Sequence, residues 1–180
     1  MKQIKILDKE FKLYIPYEKI RSVIENMADK MNSQLAGKNP LFICMLNGSF
    51  MFAAELFKYI TLMETEITFV KLSSYDGIKT TGNVKQLIGL NDNIEGRTVV
   101  ILEDIVDTGL TIDYTVKQLQ SKQPDEIIIA TLFFKPDALV KNVQPDYVGM
   151  EITDDFIVGF GLDYNNYGRN LLDIYSAINQ

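Results

Sequence analysis

Apolar positions along this chain recur with two different spacings, and the two kinds of segment alternate. Ile20, Val23, Ile24, Met27, Met31 and Leu35 fall three or four residues apart, which predicts an amphipathic helix over residues 17–35. Gly37 and Pro40 end it. Residues 41–46 are then apolar without interruption, the pattern of a strand buried on both faces. Asn47-Gly48-Ser49 makes a turn, and Phe52, Leu56 and Tyr59 mark a second helical face. Residues 66–72, 98–102 and 127–134 read as further strands, with a helix between the last two marked by Ile112, Val116 and Leu119. Shorter strand-like pieces lie at 147–152, 156–159 and 172–175. The stretch 73–96 is long, polar and punctuated by Gly77, Gly82 and Gly89. Loops of that length in compact domains are usually lids or binding loops.

Continuous apolar strands separated by helices predict an α/β fold: a doubly wound, mostly parallel sheet flanked by helices. A chain of 180 residues suits one domain. Its core is expected over about 17–135, where the alternation is regular. Segments of about 1–15 and 145–180 alternate less regularly and are expected to form a small cap, or hood. Ligands of such sheets bind beyond the carboxyl ends of the strands. Function is therefore expected in the loops after Leu46, Leu72, Leu102 and Phe134.

Composition narrows the chemistry. The chain contains no His, which removes Ser-His-Asp and Cys-His catalysis and His-ligated zinc. Its single cysteine, Cys44, excludes internal disulfides and CxxC redox pairs, and its apolar surroundings predict a buried, inert thiol. Proton transfer falls to Asp, Glu, Lys or Tyr. Lys and Arg total 18 against 24 Asp and Glu, a net charge of −6 with no basic stripe, so no nucleic-acid partner is expected. Met1-Lys2-Gln3-Ile4-Lys5 has no apolar signal core behind it, and the longest apolar stretch, 127–134, is too short to span a bilayer. A soluble, cytoplasmic protein without a membrane partner is expected, and the glycosylation-like Asn47-Gly48-Ser49 is read as chance.

The densest chemistry lies in Val99-Val100-Ile101-Leu102-Glu103-Asp104-Ile105-Val106-Asp107-Thr108-Gly109-Leu110-Thr111. An apolar strand runs into two adjacent acids, a third acid follows, and a Thr-Gly-Leu-Thr turn opens a helix. Thr108, Gly109, Leu110 and Thr111 offer backbone N–H groups and hydroxyls at a helix N-terminus, a ready anion site. Gly109 allows close approach to a phosphate. Glu103 and Asp104 suit the hydroxyls of a sugar or a hydrated Mg²⁺. Asp107 sits between the two, placed to exchange a proton. Helix capping alone would account for Asp107 or Thr108. It would not account for two more acids at the mouth of an apolar strand.

Residues 99–111 resemble the signature by which phosphoribosyltransferases bind 5-phosphoribosyl-1-diphosphate. The wider resemblance is to the hypoxanthine-guanine phosphoribosyltransferases. It runs through Leu46-Asn47-Gly48-Ser49-Phe50, Ser73-Ser74-Tyr75, the signature, Lys135, and Pro145-Asp146-Tyr147-Val148-Gly149. It continues through Phe156-Ile157-Val158-Gly159 to Leu162-Asp163-Tyr164-Asn165 and Arg169. The resemblance implies that residues 107–111 hold the 5′-phosphate, and that Glu103 and Asp104 meet the ribose hydroxyls and a Mg²⁺. Asp107 becomes the proton acceptor at purine N7. Asn47, Gly48, Ser74, Tyr75 and Arg169 contact pyrophosphate, and the 46–48 loop often holds a non-proline cis peptide. Lys135 donates to the 6-oxo group, Phe156 stacks on the purine, Ile157 reads its edge through the backbone, and Asp163 lies near the base and a second Mg²⁺. Ser74 and Tyr75 belong to a mobile lid. Members of the family commonly carry Lys where this chain has Asn47, which keeps an amide donor and loses the charge.

Taken singly, each residue has a plainer role: Lys135 a solvated strand end, Phe156 core, Asp163 a turn, Arg169 a surface ion pair. The implied activity is transfer of the phosphoribosyl group to N9 of hypoxanthine or guanine by a homo-oligomer, dimer or tetramer. Two rivals are an enzyme preferring xanthine and a regulatory protein that senses the sugar diphosphate with the same fold. Retention of both Asp107 and Lys135 in an acidic chain weighs against the second.

Overall fold

The computed structural model describes residues 2–73 and 85–178. The chain begins with strands β1 (Gln3–Ile6) and β2 (Lys9–Ile15) and helix α1 (Tyr17–Gln34). Next come β3 (Leu41–Leu46), α2 (Phe50–Leu56), β4 (Glu66–Ser73) and β5 (Lys85–Ile88). After these come β6 (Thr98–Val106), α3 (Leu110–Gln120), β7 (Glu126–Phe134), β8 (Tyr147–Glu151), β9 (Ile157–Val158) and β10 (Ile174–Ala177).

The main sheet has the order β5-β4-β3-β6-β7-β8. Every neighbouring pair is parallel except β4 with β5. Its central strand shows why an unbroken apolar run means burial on both sides. Phe42 and Cys44 join the core beneath α1 and α2, while Leu41, Ile43 and Met45 join the opposite core with Ile112 and Leu119 of α3. The expected doubly wound arrangement is therefore present. α1 buries Ile20, Ile24, Met27 and Met31 of the anticipated stripe, with Ala28 beside them, while Val23 is only half-buried.

β1, β2, β10 and β9 form a second, fully antiparallel sheet. This is the expected hood, made from the two ends of the chain. Phe11, Val158 and Tyr175 make its small core. The Asp173 carboxylate ties it down, accepting from Lys2 Nζ at 2.7 Å, from the Tyr17 backbone N–H at 3.1 Å and from Tyr175 Oη at 3.2 Å.

Three boundaries depart from expectation. Tyr147–Glu151, expected in the hood, is the sixth strand of the main sheet, paired with β7 from Ala130↔Tyr147 to Phe134↔Glu151. Asp146 pins it there, its backbone N–H donating to Ile129 O and its carboxylate accepting from Ile129 N, both at 2.8 Å. β6 continues four residues past Leu102, because Glu103, Ile105 and Val106 keep their register with β7. Within 73–96, Lys85–Ile88 forms an edge strand against β4, too short and too polar in sequence to announce itself.

Phe11 is fully buried where the hood meets the aromatic rings of Phe156 and Tyr164. Phe11→Ala is expected to cost about 3–5 kcal/mol, the usual range for a buried Phe. Urea unfolding followed by far-UV circular dichroism measures it.

Candidate active site

The carboxyl ends of β3 and β6 open into a cleft of about 320 Å³. Gly48 lines it after β3; Glu103, Asp104 and Asp107 line it from β6 and the turn beyond; Thr108, Gly109 and Thr111 close it at the start of α3. The Leu46–Asn47 peptide bond is cis and not prolyl. A Cβ on Gly48 would collide with the Asp104 carboxylate, so only glycine lets the β3 loop lie against that acid.

The anion turn is shaped by Gly109, whose φ of +76° lies in the left-handed region. Gly109 precedes α3 without any side-chain cap, and Thr108 Oγ1 lies a long 3.5 Å from Leu110 N. Capping thus does not explain the threonines. The Thr108 carbonyl accepts from Val140 N at 3.0 Å and Lys141 N at 3.1 Å, which fixes the turn against the segment after β7. The first amides of α3 have no intrahelical partners and favour an anion. Leu110 itself is 51% exposed and is not among the cleft residues.

Glu103 is buried and Asp104 half-buried at the end of the strand. Burial, and then the neighbouring Asp104 charge, push the Glu103 carboxyl well above its usual range. Burial pushes Asp104 up to about 6, with Asp163 adding to the rise; the Ile105 N–H bond and Arg169 oppose it. The Asp104 carboxylate accepts from Ile105 N at 3.0 Å. Among the described residues no three acidic, His or Cys side chains converge as a metal cage. Two adjacent carboxylates, one buried and one half-buried, do fit a hard cation that keeps water and substrate oxygens as its other ligands.

Lys135 follows β7 with its side chain only 8% exposed, so it is not a solvated strand end. Its ammonium lies 3.5 Å from Asp107 Oδ2 and 3.0 Å from Asp154 Oδ1. Arg169 donates to Gly161 O at 2.7 Å and pairs with Asp163 Oδ1 at 2.6 Å, while Asp163 Oδ2 accepts from Asn166 N at 2.6 Å. Phe156 is 37% exposed, with Tyr164 edge-on at 5.8 Å and the Lys9 ammonium 5.2 Å from its centroid. Ile157 is buried in β9. Asn47 is exposed and stands outside the cleft lining, whereas Gly48 is part of it. Ser74, Tyr75 and the expected lid lie outside the described residues. Cys44 is buried, and burial pushes its thiol up, as expected of an unreactive cysteine. Asp154 is a site residue that the sequence pattern does not single out; its only signal is its place in Thr153-Asp154-Asp155, beside Phe156.

A strand-borne acidic pair, an anion turn at a helix start and a hood over the sheet define a phosphoribosyl-transfer fold. The Phosphoribosyl transferase domain family matches residues 16–165. The hypoxanthine-guanine phosphoribosyltransferase of Streptococcus thermophilus is 40% identical over 92% of this chain and 93% of its own length. That of Streptococcus agalactiae is 44% identical over 82% of each. A hypoxanthine phosphoribosyltransferase structure from Staphylococcus aureus superposes with a TM-score of 0.87 at 34% identity, covering 92% of this chain and 90% of that one. This chain belongs to the phosphoribosyltransferase family, in its hypoxanthine-guanine branch.

An acid whose pKa is higher in the folded than in the unfolded state binds more protons when folded. It therefore costs stability as pH rises between the two values, here from about 4 to about 6 for Asp104. Asp104→Asn keeps the acceptor for Ile105 N and cannot ionise. Urea unfolding should show it close to the parent protein at pH 4 and more stable at pH 7, by at most about 3 kcal/mol. A difference that does not vary with pH would place the shift elsewhere.

Proposed function

We propose that this protein transfers the 5-phosphoribosyl group from 5-phosphoribosyl-1-diphosphate to N9 of hypoxanthine or guanine, releasing pyrophosphate, in the cytoplasm. The observation that carries the proposal is the buried Lys135 ammonium standing 3.5 Å from Asp107, at the edge of the anion turn. A cation that donates and an acid that accepts are thereby set side by side, as a base with a 6-oxo group next to N7–H requires.

In the reaction the bond from sugar C1 to pyrophosphate breaks and a bond from C1 to N9 forms. The sugar passes through an oxocarbenium-like state, and the N7 proton leaves. Thr108, Gly109, Leu110 and Thr111 hold the 5′-phosphate, with Leu110 contributing its backbone N–H. Glu103 and Asp104 face the ribose hydroxyls. The Gly48 backbone and Arg169 meet the pyrophosphate, with Asn47, Ser74 and Tyr75 assigned to the same end. Phe156 stacks on the purine, Ile157 reads its edge, Asp163 holds Arg169 near the base, and Asp107 takes the N7 proton. Mg²⁺, held by Glu103 and Asp104 or at Asp163 together with substrate oxygens, would neutralise charge on the leaving pyrophosphate. Placement does the rest. Assembly into a dimer or tetramer is part of the proposal; exposed Phe50 in α2, Met63 before β4 and Phe69 in β4 offer it apolar surface.

The test is an assay of purified protein with the sugar diphosphate, Mg²⁺ and each of five bases. Nucleotide from hypoxanthine and guanine, less from xanthine and almost none from adenine is expected. Asp107→Asn should lower kcat by about 10- to 10⁴-fold, the span of lost acid–base help. Binding of the sugar diphosphate should change far less.

Selectivity follows from Lys135, which has donors and no acceptor. Adenine would turn an amino group toward it and leave donors unpaired, at about 1–3 kcal/mol, more with a charge involved. Lys135→Gln gains an acceptor, so kcat/KM for hypoxanthine should fall sharply while the hypoxanthine-to-adenine ratio narrows. An unmoved ratio removes Lys135 from the base site.

A further inference from the structure

We propose that Asp154 is a positioning residue for this reaction: its carboxylate draws the Lys135 ammonium away from Asp107 and leaves Asp107 free to accept the purine proton. The proposal rests on the roles of Lys135 and Asp107 given above. It deepens them by identifying what sets the state of the pair.

Lys135 has two charge partners among the described residues, and they are unequal. Asp154 Oδ1 lies 3.0 Å from Nζ, within hydrogen-bond distance, whereas Asp107 Oδ2 lies at 3.5 Å, beyond a good one. A buried ammonium requires a counter-charge. With Asp154 removed, the nearest carboxylate is that of Asp107, and the ammonium closes on it. The lone pair that must receive the N7 proton is then occupied, and the donor meant for the 6-oxo group is turned aside. Two carboxylates instead divide the three donors of the ammonium. One donor stays on Asp154, and another is left for the base.

The position of Asp154 fits this task. It stands at the entry to the hood, two residues before Phe156, and reaches back to a lysine at the end of β7. It therefore links the strand that carries the base-reading cation to the segment that carries the stacking ring. Its side chain is 69% exposed, so its removal empties no core. The next residue, Asp155, carries the same charge but accepts from Thr153 Oγ1 at 2.7 Å. Asp155 is thus a built-in control for charge without contact.

Steady-state kinetics with hypoxanthine and the sugar diphosphate test this in six proteins: the parent, Asp154→Asn, Asp154→Glu, Asp155→Asn, Asp107→Asn and the double variant that joins Asp107→Asn to Asp154→Asn. Asp154→Asn should lower kcat roughly 10- to 100-fold, the scale of a small misplacement of a reacting group. Its KM for the sugar diphosphate and its melting temperature should stay at parent values. Asp154→Glu should restore most of the loss, and Asp155→Asn should behave as the parent. Added to Asp107→Asn, Asp154→Asn should have little further effect, because the acceptor it protects is already gone. Full additivity in that double variant, an equal loss in Asp155→Asn, or an unchanged kcat in Asp154→Asn overturns the proposal. An impaired Asp107→Asn alongside a normal Asp154→Asn overturns this proposal alone. A normal Asp107→Asn overturns the proton-acceptor role and this proposal with it.

Discussion

Two carboxylates sit inside a buried parallel strand, and the rest of the site is arranged around the cost of keeping them there. Glu103 is 8% exposed, and burial pushes both it and Asp104 toward the protonated form. Desolvated acids of like charge side by side favour neither ionisation nor compactness. The strand holds them because its ladder to β7 continues past them, through Glu103↔Thr131 to Val106↔Phe134. Gly48 gives up its side chain to make room for Asp104, and the Arg169 charge opposes the rise of its pKa. Such stored instability is characteristic of sites that wait for a charged ligand.

The core sheet was legible in sequence because its strands are apolar on both faces. Residues 41–46 admit one interpretation and fold that way. Strands at the edges were not legible for the converse reason. Lys85–Ile88 pairs on one side only, so its sequence needs little apolar character. Tyr147–Glu151 is half exposed and looked the same as hood strands. The end of β6 is hidden in the sequence because polarity marks a boundary that hydrogen bonding ignores. Glu103 and Asp104 therefore lie within the strand, and Asp107 alone of the three acids follows it.

The candidate site divided in the same way. Glu103, Asp104, Asp107, Thr108, Gly109 and Thr111 were visible because they are contiguous, and contiguity places them in one cleft. Lys135 depended on resemblance, since a lysine before a proline is unremarkable until its burial is seen. Asp154 carried no signal of its own. Its partner is 19 residues away in sequence, and one acid among neighbours gives no hint of which cation it meets. Pairings of this kind belong to topology, here the return of the chain from β8 into the hood.

The balance of charge in the cleft also bears on Asn47. A sugar diphosphate brings several negative charges to a site that already contains Glu103, Asp104 and Asp107. Of the cations placed around it, Arg169 is engaged by Asp163 at 2.6 Å, and Lys135 is shared between Asp107 and Asp154. A lysine in place of Asn47 would have added a mobile charge at the pyrophosphate end. Without it, under the proposed function, more of the substrate's charge must be met by backbone amides at Gly48 and at the start of α3, and by a divalent cation. Amide dipoles are fixed by the fold and carry no desolvated counter-charge of their own. Under the proposed function, a site without that lysine would lean more on these fixed dipoles and on a divalent cation beside Glu103 and Asp104.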